Sequence, residues 1–591
     1  MDPEILEDWG RRLRGLLVGV VLLFAVLFLR LFHLQITTAD DYAKESADNI
    51  YSKRRVKAPR GLILDRDGEV LARNRASYSI SLISGSKEDD ARAVAAMEEA
   101  IGESVPYHRG DATIRLKRDV TFETVAIVEE RLRGDGFPLH VDIEPQRLYP
   151  EGDLVAHIIG YMGEMQEGEM ATSARSYRRG DYVGKTGLER VYQDSLRGID
   201  GVSYVEMDAK RRITNERPFP DREQAPIPGH DLRLTIDLDI QRAAERAMPD
   251  SLPGSVVVLN ARTGAVLTMV SQPSYDPNVF VSYRAQEQRR HLVQDERRPL
   301  LNRAISGRYP PGSTLKLVAA VAALEAGITD TLSTFEACAG SLQVGDVVFR
   351  CNNRDGHGEL NLLDAIATSC NIYFNHLGLI LGIESWHEYG QRFGFGLPTG
   401  IDLDPEEQAG LLPDRQYHIQ QEGWVTGHMM NLVIGQGYML ATPLQVARYA
   451  AALGNGGLLV TPHFYGEAPP PQQIEGVSQA SWETVRLGMH RVVYGEKGTG
   501  RRAQVAGIDL GGKSGTAQGP RLNDDAWFIA FAPFDEPEIA VAVVVEDGGG
   551  GGSTAGPIAG AVIEAYLQDH LRREGRVTST TDGHAGEESG S

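Results

Sequence analysis

Four short stretches of this chain hold residue types that could do chemistry together. In "PPGSTLK", Ser313 and Lys316 are three positions apart, which puts them on one face of a helix that begins there. A serine hydroxyl is a weak nucleophile that needs a neighbouring base, and a lysine supplies one when burial favours its neutral form. "TSCN" sets Ser369 two residues before Asn371, and "GKSGT" sets Lys513 directly before Ser514, Gly515 and Thr516. The fourth stretch is "FRCNNRDGHG" with its neighbours: Cys338, Cys351 and Cys370, the chain's three cysteines, share one window with His357. Three thiolates and an imidazole make a complete tetrahedral set for zinc, and "CNNRDGHG" is turn-rich enough to bring Cys351 and His357 together.

Each stretch also has a plainer reading. Ser313 alone is an N-cap on an alanine-rich helix that ends at Gly327. The cysteines could form one disulfide and leave an odd thiol, or be three unlinked buried residues. Zinc is preferred because unrelated cysteines would scatter along 591 positions, although the spacings C-x12-C, C-x5-H and H-x12-C are looser than those of zinc fingers. Four protein ligands leave no open position, so such an ion is structural and a metallohydrolase is disfavoured. If Ser369 and Asn371 face a cleft, Cys370 between them points the other way, and the ion braces them from behind.

The elements that must position these residues form two groups. "GSVVVLNARTGAVLTMVSQPSYDP" gives two strands joined by a turn at Arg262-Thr263-Gly264. Near the other end, "DAWFIAFAPF" and "EIAVAVVVED" form a second pair, followed by five glycines (Gly548 to Gly552) and the helix "PIAGAVIEAYLQDHL". Strands from both ends with helices between them predict one antiparallel sheet covered by helices. Before the Pro/Gly-rich linker "REQAPIPGH", short strands are expected in Lys57–Leu82, and helices over Ala91–Ile101 and Thr121–Leu132. "GKTG" in Gly184–Gly187 is not a phosphate loop, because the glycine five residues ahead and the leading strand are missing.

The apolar run Gly15–Leu29 continues with interruptions to about Ile36, enough to span a bilayer if Arg30 and His33 reach the headgroups. Arg11, Arg12 and Arg14 precede it and predict a cytoplasmic N-terminus. No small-x-small site follows in "QITTADDYAKESA", so an uncleaved anchor is expected rather than a signal peptide. The net charge of -21 argues against a nucleic-acid partner. The expected organisation is a cytoplasmic N-terminus (1–14), a transmembrane anchor (15–36), a pedestal domain (37–228), a catalytic domain (229–570) and a polar, disordered tail (571–591).

S-x-x-K, then S-x-N, then K-[ST]-G, in that order, is the motif set of penicillin-interacting serine enzymes. From about Lys57 to Leu567 the chain resembles the class B penicillin-binding proteins, the monofunctional transpeptidases of cell-wall synthesis. Within them it is most similar to the elongation type, the penicillin-binding protein 2 group, through "RGLILDRDGEVLARN", "GKTGLERVYQDSLRG", "SQPSYDPNVF", "LLNRAISGRYPPGSTLK" and "IGQGYMLATPLQVARYAAALGNGG". Septal relatives tend to carry an acidic residue before a single proline where this chain has Tyr309-Pro310-Pro311.

The resemblance implies an α/β plus α+β multidomain protein: a transmembrane helix, an elongated mixed pedestal and a serine β-lactamase-like transpeptidase domain. It implies that Ser313 attacks the carbonyl between the terminal D-alanines of a stem pentapeptide, with Lys316 as base and Ser369 relaying the proton. The Asn371 amide would hold the peptide, backbone N–H groups of Ser313 and Thr516 would form the oxyanion hole, and Lys513, Ser514, Gly515 and Thr516 would receive the terminal carboxylate. β-Lactams would trap Ser313, and water in place of the acceptor amine would give residual D-Ala-D-Ala carboxypeptidase turnover. It further implies a periplasmic bulk held at the inner membrane, a SEDS-family glycan polymerase and elongation scaffold proteins as partners, and no organic cofactor. No glycosyltransferase block precedes the linker, and no evident glutamate suits rapid deacylation by water. A septal transpeptidase and a non-catalytic penicillin sensor are the rival readings; no cytoplasmic signalling domain supports the latter.

Overall fold

The computed structural model describes residues 3–39, 50–105, 107, 113–172, 177, 180–208, 213–282, 285–519 and 523–573. A helix over Pro3–Phe32 (α1) carries the apolar segment, and Gly15–Thr37 is long and apolar enough to cross a membrane. The chain divides into two compact units.

The first unit comprises Met1–Pro59, Ala76–Gln146 and Gly198–Pro228. Here the strand Tyr51–Val56 pairs antiparallel with Gly201–Met207, and the far part of Val70–Ile83 pairs with Thr113–Val120. The helix Lys87–Ile101 starts at Ser86, whose side chain accepts from Asp89 N–H, and ends at Gly102 in the left-handed region. Its apolar face, Ala93, Val94 and Met97, packs with Ile80, Leu82, Ile114 and Leu132. The second expected helix is shorter: Phe122–Ala126 is α-helical and Ile127–Leu132 continues as a wider turn.

The second unit comprises Arg60–Arg75, Arg147–Arg197 and Gly229–Ser591. Two segments ahead of the boundary expected at 228, Arg60–Arg75 and Arg147–Arg197, pack within this unit. The reason is burial: Ile63, Leu71, Ala72, Tyr149, Leu188 and Leu196 enter its main core. Glu189, fully buried, also joins Arg60 at 2.5 Å to Arg147 at 2.6 Å. The expected disordered tail falls outside the described residues, except that a helix continues to Arg573.

This unit is built on a five-stranded antiparallel sheet: β1 (Gly254–Asn260), β2 (Val266–Gln272), β3 (Gly511–Ala517), β4 (Asp525–Ala532) and β5 (Ile539–Val545). The order is β2-β1-β5-β4-β3, so N- and C-terminal strands interleave and β3 lies at an edge. Alternate residues face opposite layers. Val256, Val258, Phe528 and Val543 pack with the helices α2 (Leu238–Ala247) and α8 (Ala555–Arg573). Val257, Trp527, Ile529 and Ala542 belong to the other core, with α3 (Lys316–Glu325) and α6 (Pro443–Gly454). Burial on both faces is why the strands read as unbroken apolar runs. Each buried valine or isoleucine is worth roughly 1.5–3 kcal/mol. Three further helices complete this layer: α4 (Leu362–Thr368), α5 (Asn371–Arg392) and α7 (Gln479–Tyr494).

Candidate active site

Ser313 lies in a 3-10 turn, Gly312–Leu315, and Lys316 begins α3. The spacing therefore works as expected, but through a tighter turn than an α-helix. That turn is pressed against the edge strand: Gly312 has φ +57, and a Cβ there would stand 2.8 Å from Thr516 O. Only glycine fits such a backbone without strain. Gly312 N–H donates to Gly435 O at 3.0 Å, which ties the turn to the "GQG" loop. Tyr309 locks the approach, exchanging backbone hydrogen bonds with Ala441 while its hydroxyl donates to buried Glu546 at 2.7 Å. Arg303 pairs with the same carboxylate at 2.9 Å. Sequence reasoning named Tyr309 only for its place before the prolines and missed its hydroxyl contact, Arg303 and Glu546, because partners this far apart leave no local pattern.

Ser369 joins α4 to α5 in the left-handed region, φ 56, a conformation that costs a non-glycine residue roughly 1–3 kcal/mol. The turn reverses the chain so that Ser369 and Asn371 meet Lys316. The Lys316 ammonium nitrogen lies 2.7 Å from Ser369 O, 2.7 Å from Asn371 Oδ1 and 3.3 Å from Ser369 Oγ. Lys513 Nζ donates to the same Ser369 Oγ at 2.9 Å and to Ser514 O at 2.8 Å. Both lysines are fully buried.

The electrostatics follow from that burial. Desolvation lowers Lys316 to about 8, against a smaller opposing pull from Cys370 and Cys351. Desolvation, then the neighbouring Lys316 charge, holds Lys513 well below its ordinary value. A neutral amine has two hydrogens, and the carbonyl oxygens of Ser369 and Asn371 accept both. Its lone pair is then left to take a proton. The expected base, relay and amide thus converge with Lys513 around the Ser369 hydroxyl, Ser313 lies in the turn that leads into Lys316, and Gly515 and Thr516 line the edge strand beside that turn. A Cβ on Gly515 would stand 3.0 Å from Thr314 Cγ2 and 3.1 Å from Pro311 O, so this position also needs glycine.

Behind Asn371 lie the three cysteines and His357. Cys370 points away from the lysines: its sulfur accepts from Tyr373 N–H and lies 3.8 Å from Cys351 Sγ. His357 Nδ1 is 3.4 Å from Cys351 Sγ and 3.8 Å from Cys338 Sγ, and all four donors lie within 4.8 Å of one another. A tetrahedral ion with bonds of roughly 2.3 Å has edges of about 3.8 Å, close to these three separations. A disulfide requires sulfurs about 2.05 Å apart, and here all three thiols are free. A hydrogen bond from Cys370 lowers the Cys351 thiol, and backbone N–H groups of Ile372, Asn353 and Asn371 support its anionic form. The loop reaches the catalytic side through Asn371, whose Nδ2 donates to Arg350 O at 3.0 Å and so turns Oδ1 to Lys316.

His418, Glu422 and His428 form a second group whose donor atoms also lie within 4.8 Å of one another, but the rings are not oriented for one ion. The two imidazole rings stack 4.4 Å apart with 18° between their planes, so their in-plane lone pairs cannot meet at one point.

Known proteins resemble this chain along most of its length. Residues 254–564 match the penicillin binding protein transpeptidase domain, and residues 55–234 match the penicillin-binding protein dimerisation domain. The chain is 34% identical to the peptidoglycan D,D-transpeptidase MrdA of Haemophilus influenzae, across 95% of this chain and 92% of that protein. Its structure is similar to that of a penicillin-binding protein, PBP2, from Helicobacter pylori in complex with MreC. That match has a TM-score of 0.80 and 28% identity, covering 88% of this chain and all of the other. A chain from a peptidoglycan synthase complex, in a study of coordinated polymerization and crosslinking, matches with a TM-score of 0.70 and 28% identity, covering 97% of this chain and all of that one.

Proposed function

The chain belongs to the class B penicillin-binding proteins of the elongation type, and from that premise we propose how its residues divide the work of a peptidoglycan D,D-transpeptidase. As a member of this group it is a serine-type enzyme that cross-links stem peptides during cell elongation. The observation that carries the assignment is Lys316, buried without a carboxylate partner among the described residues and aimed at Ser369 and Asn371.

Ser313 Oγ attacks the carbonyl between the two terminal D-alanines, and Lys316 takes its proton. Backbone N–H groups of Ser313 and Thr516 stabilise the oxyanion, where losing one donor raises the barrier by roughly 3–4 kcal/mol. Ser369, bridged to both lysines, relays the proton to the departing D-alanine amine, leaving an ester on Ser313. Asn371 holds the donor peptide, while Lys513 with the Ser514 and Thr516 hydroxyls receives its terminal carboxylate, Gly515 keeping the strand close. An amine from a neighbouring stem then attacks the ester, forming the cross-link and returning the proton to Ser313. β-Lactams acylate the same serine.

Cys338, Cys351, His357 and Cys370 hold a structural zinc in this reading. When bound, the ion supplies charge compensation for the thiolates and fixes the loop; it takes no part in bond making. The loop acts through Arg350 O, which orients Asn371. The helix α1 anchors the chain in the inner membrane, and Arg11, Arg12 and Arg14 place its N-terminus in the cytoplasm and the bulk in the periplasm. A SEDS-family glycan polymerase and elongation scaffold proteins are the proposed partners, supported by the MreC complex of one similar protein and the synthase complex of another.

Intact mass measurement after benzylpenicillin, with the adduct mapped, tests the assignment. One adduct on Ser313, absent from Ser313→Ala, is expected; an adduct on another residue would overturn it.

A further inference from the structure

Phe374 has no part in the scheme above and reads as filler, a fully buried phenylalanine in the main core. It stands three positions after Asn371 in the first turn of α5, so both side chains share one face of that helix. That face meets Lys316, whose Nζ lies over the Phe374 ring, 5.5 Å from its centre.

The surroundings of Lys316 change meaning once it accepts a proton. As a neutral amine it has two hydrogens, and Ser369 O and Asn371 Oδ1 take them at 2.7 Å each. Transfer from Ser313 breaks the serine O–H bond and makes a third N–H bond, so a positive charge now stands on a fully buried side chain. Among the described residues no carboxylate pairs with it. The third hydrogen has Ser369 Oγ at 3.3 Å, an oxygen that also accepts from Lys513 at 2.9 Å. The Phe374 ring faces the same nitrogen. The face of a benzene ring carries negative potential and attracts a cation within about 6 Å of its centre, more strongly where water is excluded. A leucine would fill much of the space and offer no such charge.

We propose that Phe374 is a positioning residue acting through Lys316: the face of its ring stabilises the ammonium that Lys316 becomes while it holds the Ser313 proton. This rests on the assignment of Lys316 as base. The contact strengthens only as charge develops on the nitrogen, so it lowers the barrier to acylation and leaves ligand binding alone.

The test uses the full-length protein in detergent with mono-, di- or trifluorophenylalanine in place of Phe374. Fluorine drains the ring face step by step and nearly keeps its shape. Acylation by benzylpenicillin is followed to saturation, above the value to which burial lowers Lys316, so that the base starts neutral. The limiting rate constant is expected to fall with each fluorine, about threefold in all, while the half-saturating concentration stays unchanged. para-Methylphenylalanine, larger but with a richer face, should acylate at least as fast as wild type. A rate constant indifferent to fluorine, or one that follows ring size so that the methyl variant is as slow as the trifluoro variant, would overturn the role of Phe374. Lys316→Met acylating at the wild-type rate would instead overturn the base assignment beneath it. Should melting show the trifluoro variant unfolded, the steps from phenylalanine through mono- to difluorophenylalanine carry the same reading.

Discussion

Two pairs of buried cations lie within the catalytic unit, and their surroundings differ. Arg60 and Arg147 share a buried carboxylate, Glu189, at 2.5 and 2.6 Å. Burial works to raise that carboxyl, but the charges and hydrogen bonds of the two arginines outweigh it and hold it below its ordinary value. Lys316 and Lys513 share a serine hydroxyl and are otherwise met by carbonyl and amide oxygens. With dipoles in place of a counter-charge, burial drives both lysines toward the neutral form. In the proposed scheme the same burial gives a structural clamp in one place and a base in the other.

That contrast can be broken by substitution. Ser313→Ala should lose penicillin acylation by roughly 10³-fold or more while melting as wild type, because its turn is held by backbone contacts. Lys316→Met should keep the fold and lose acylation by roughly 10²–10⁴-fold. Glu189→Gln should do the opposite, lowering stability by roughly 3–5 kcal/mol while the folded fraction acylates at the wild-type rate. If Glu189→Gln slowed acylation at full stability, the two clusters would not be separate devices.

A smaller effect sharpens the catalytic side. Metal analysis of the purified protein should find one zinc per chain, and Cys351→Ser should slow acylation of Ser313 by about tenfold by loosening the Arg350 contact to Asn371. A Cys351→Ser protein acylated at the wild-type rate would remove the loop from the mechanism.

Much of this was legible in the sequence where the physics is local. β1, β2, β4 and β5 show as apolar runs cut by Gly and Pro because both faces of the sheet are buried. Ser313, Lys316, Ser369, Asn371 and Lys513 stand out through fixed short spacings, as do the cysteines through their clustering. What was not legible depends on distant partners. Arg60 and Arg147 belong to the catalytic unit through Glu189, and nothing periodic in their own segments says so. The left-handed Ser369 also has no signature, since serine rarely adopts that conformation and only the packing around it holds it there.

The central claim is that Lys316 serves as a neutral base because it is buried without a carboxylate partner among the described residues. The pH dependence of Ser313 acylation by benzylpenicillin at limiting concentration tests it most directly. The base must be unprotonated, so the rate constant should rise about tenfold per unit at low pH and level off through about 8, where burial sets Lys316. A profile still rising to the ordinary lysine value of 10.5, or one flat across that range, would contradict the account.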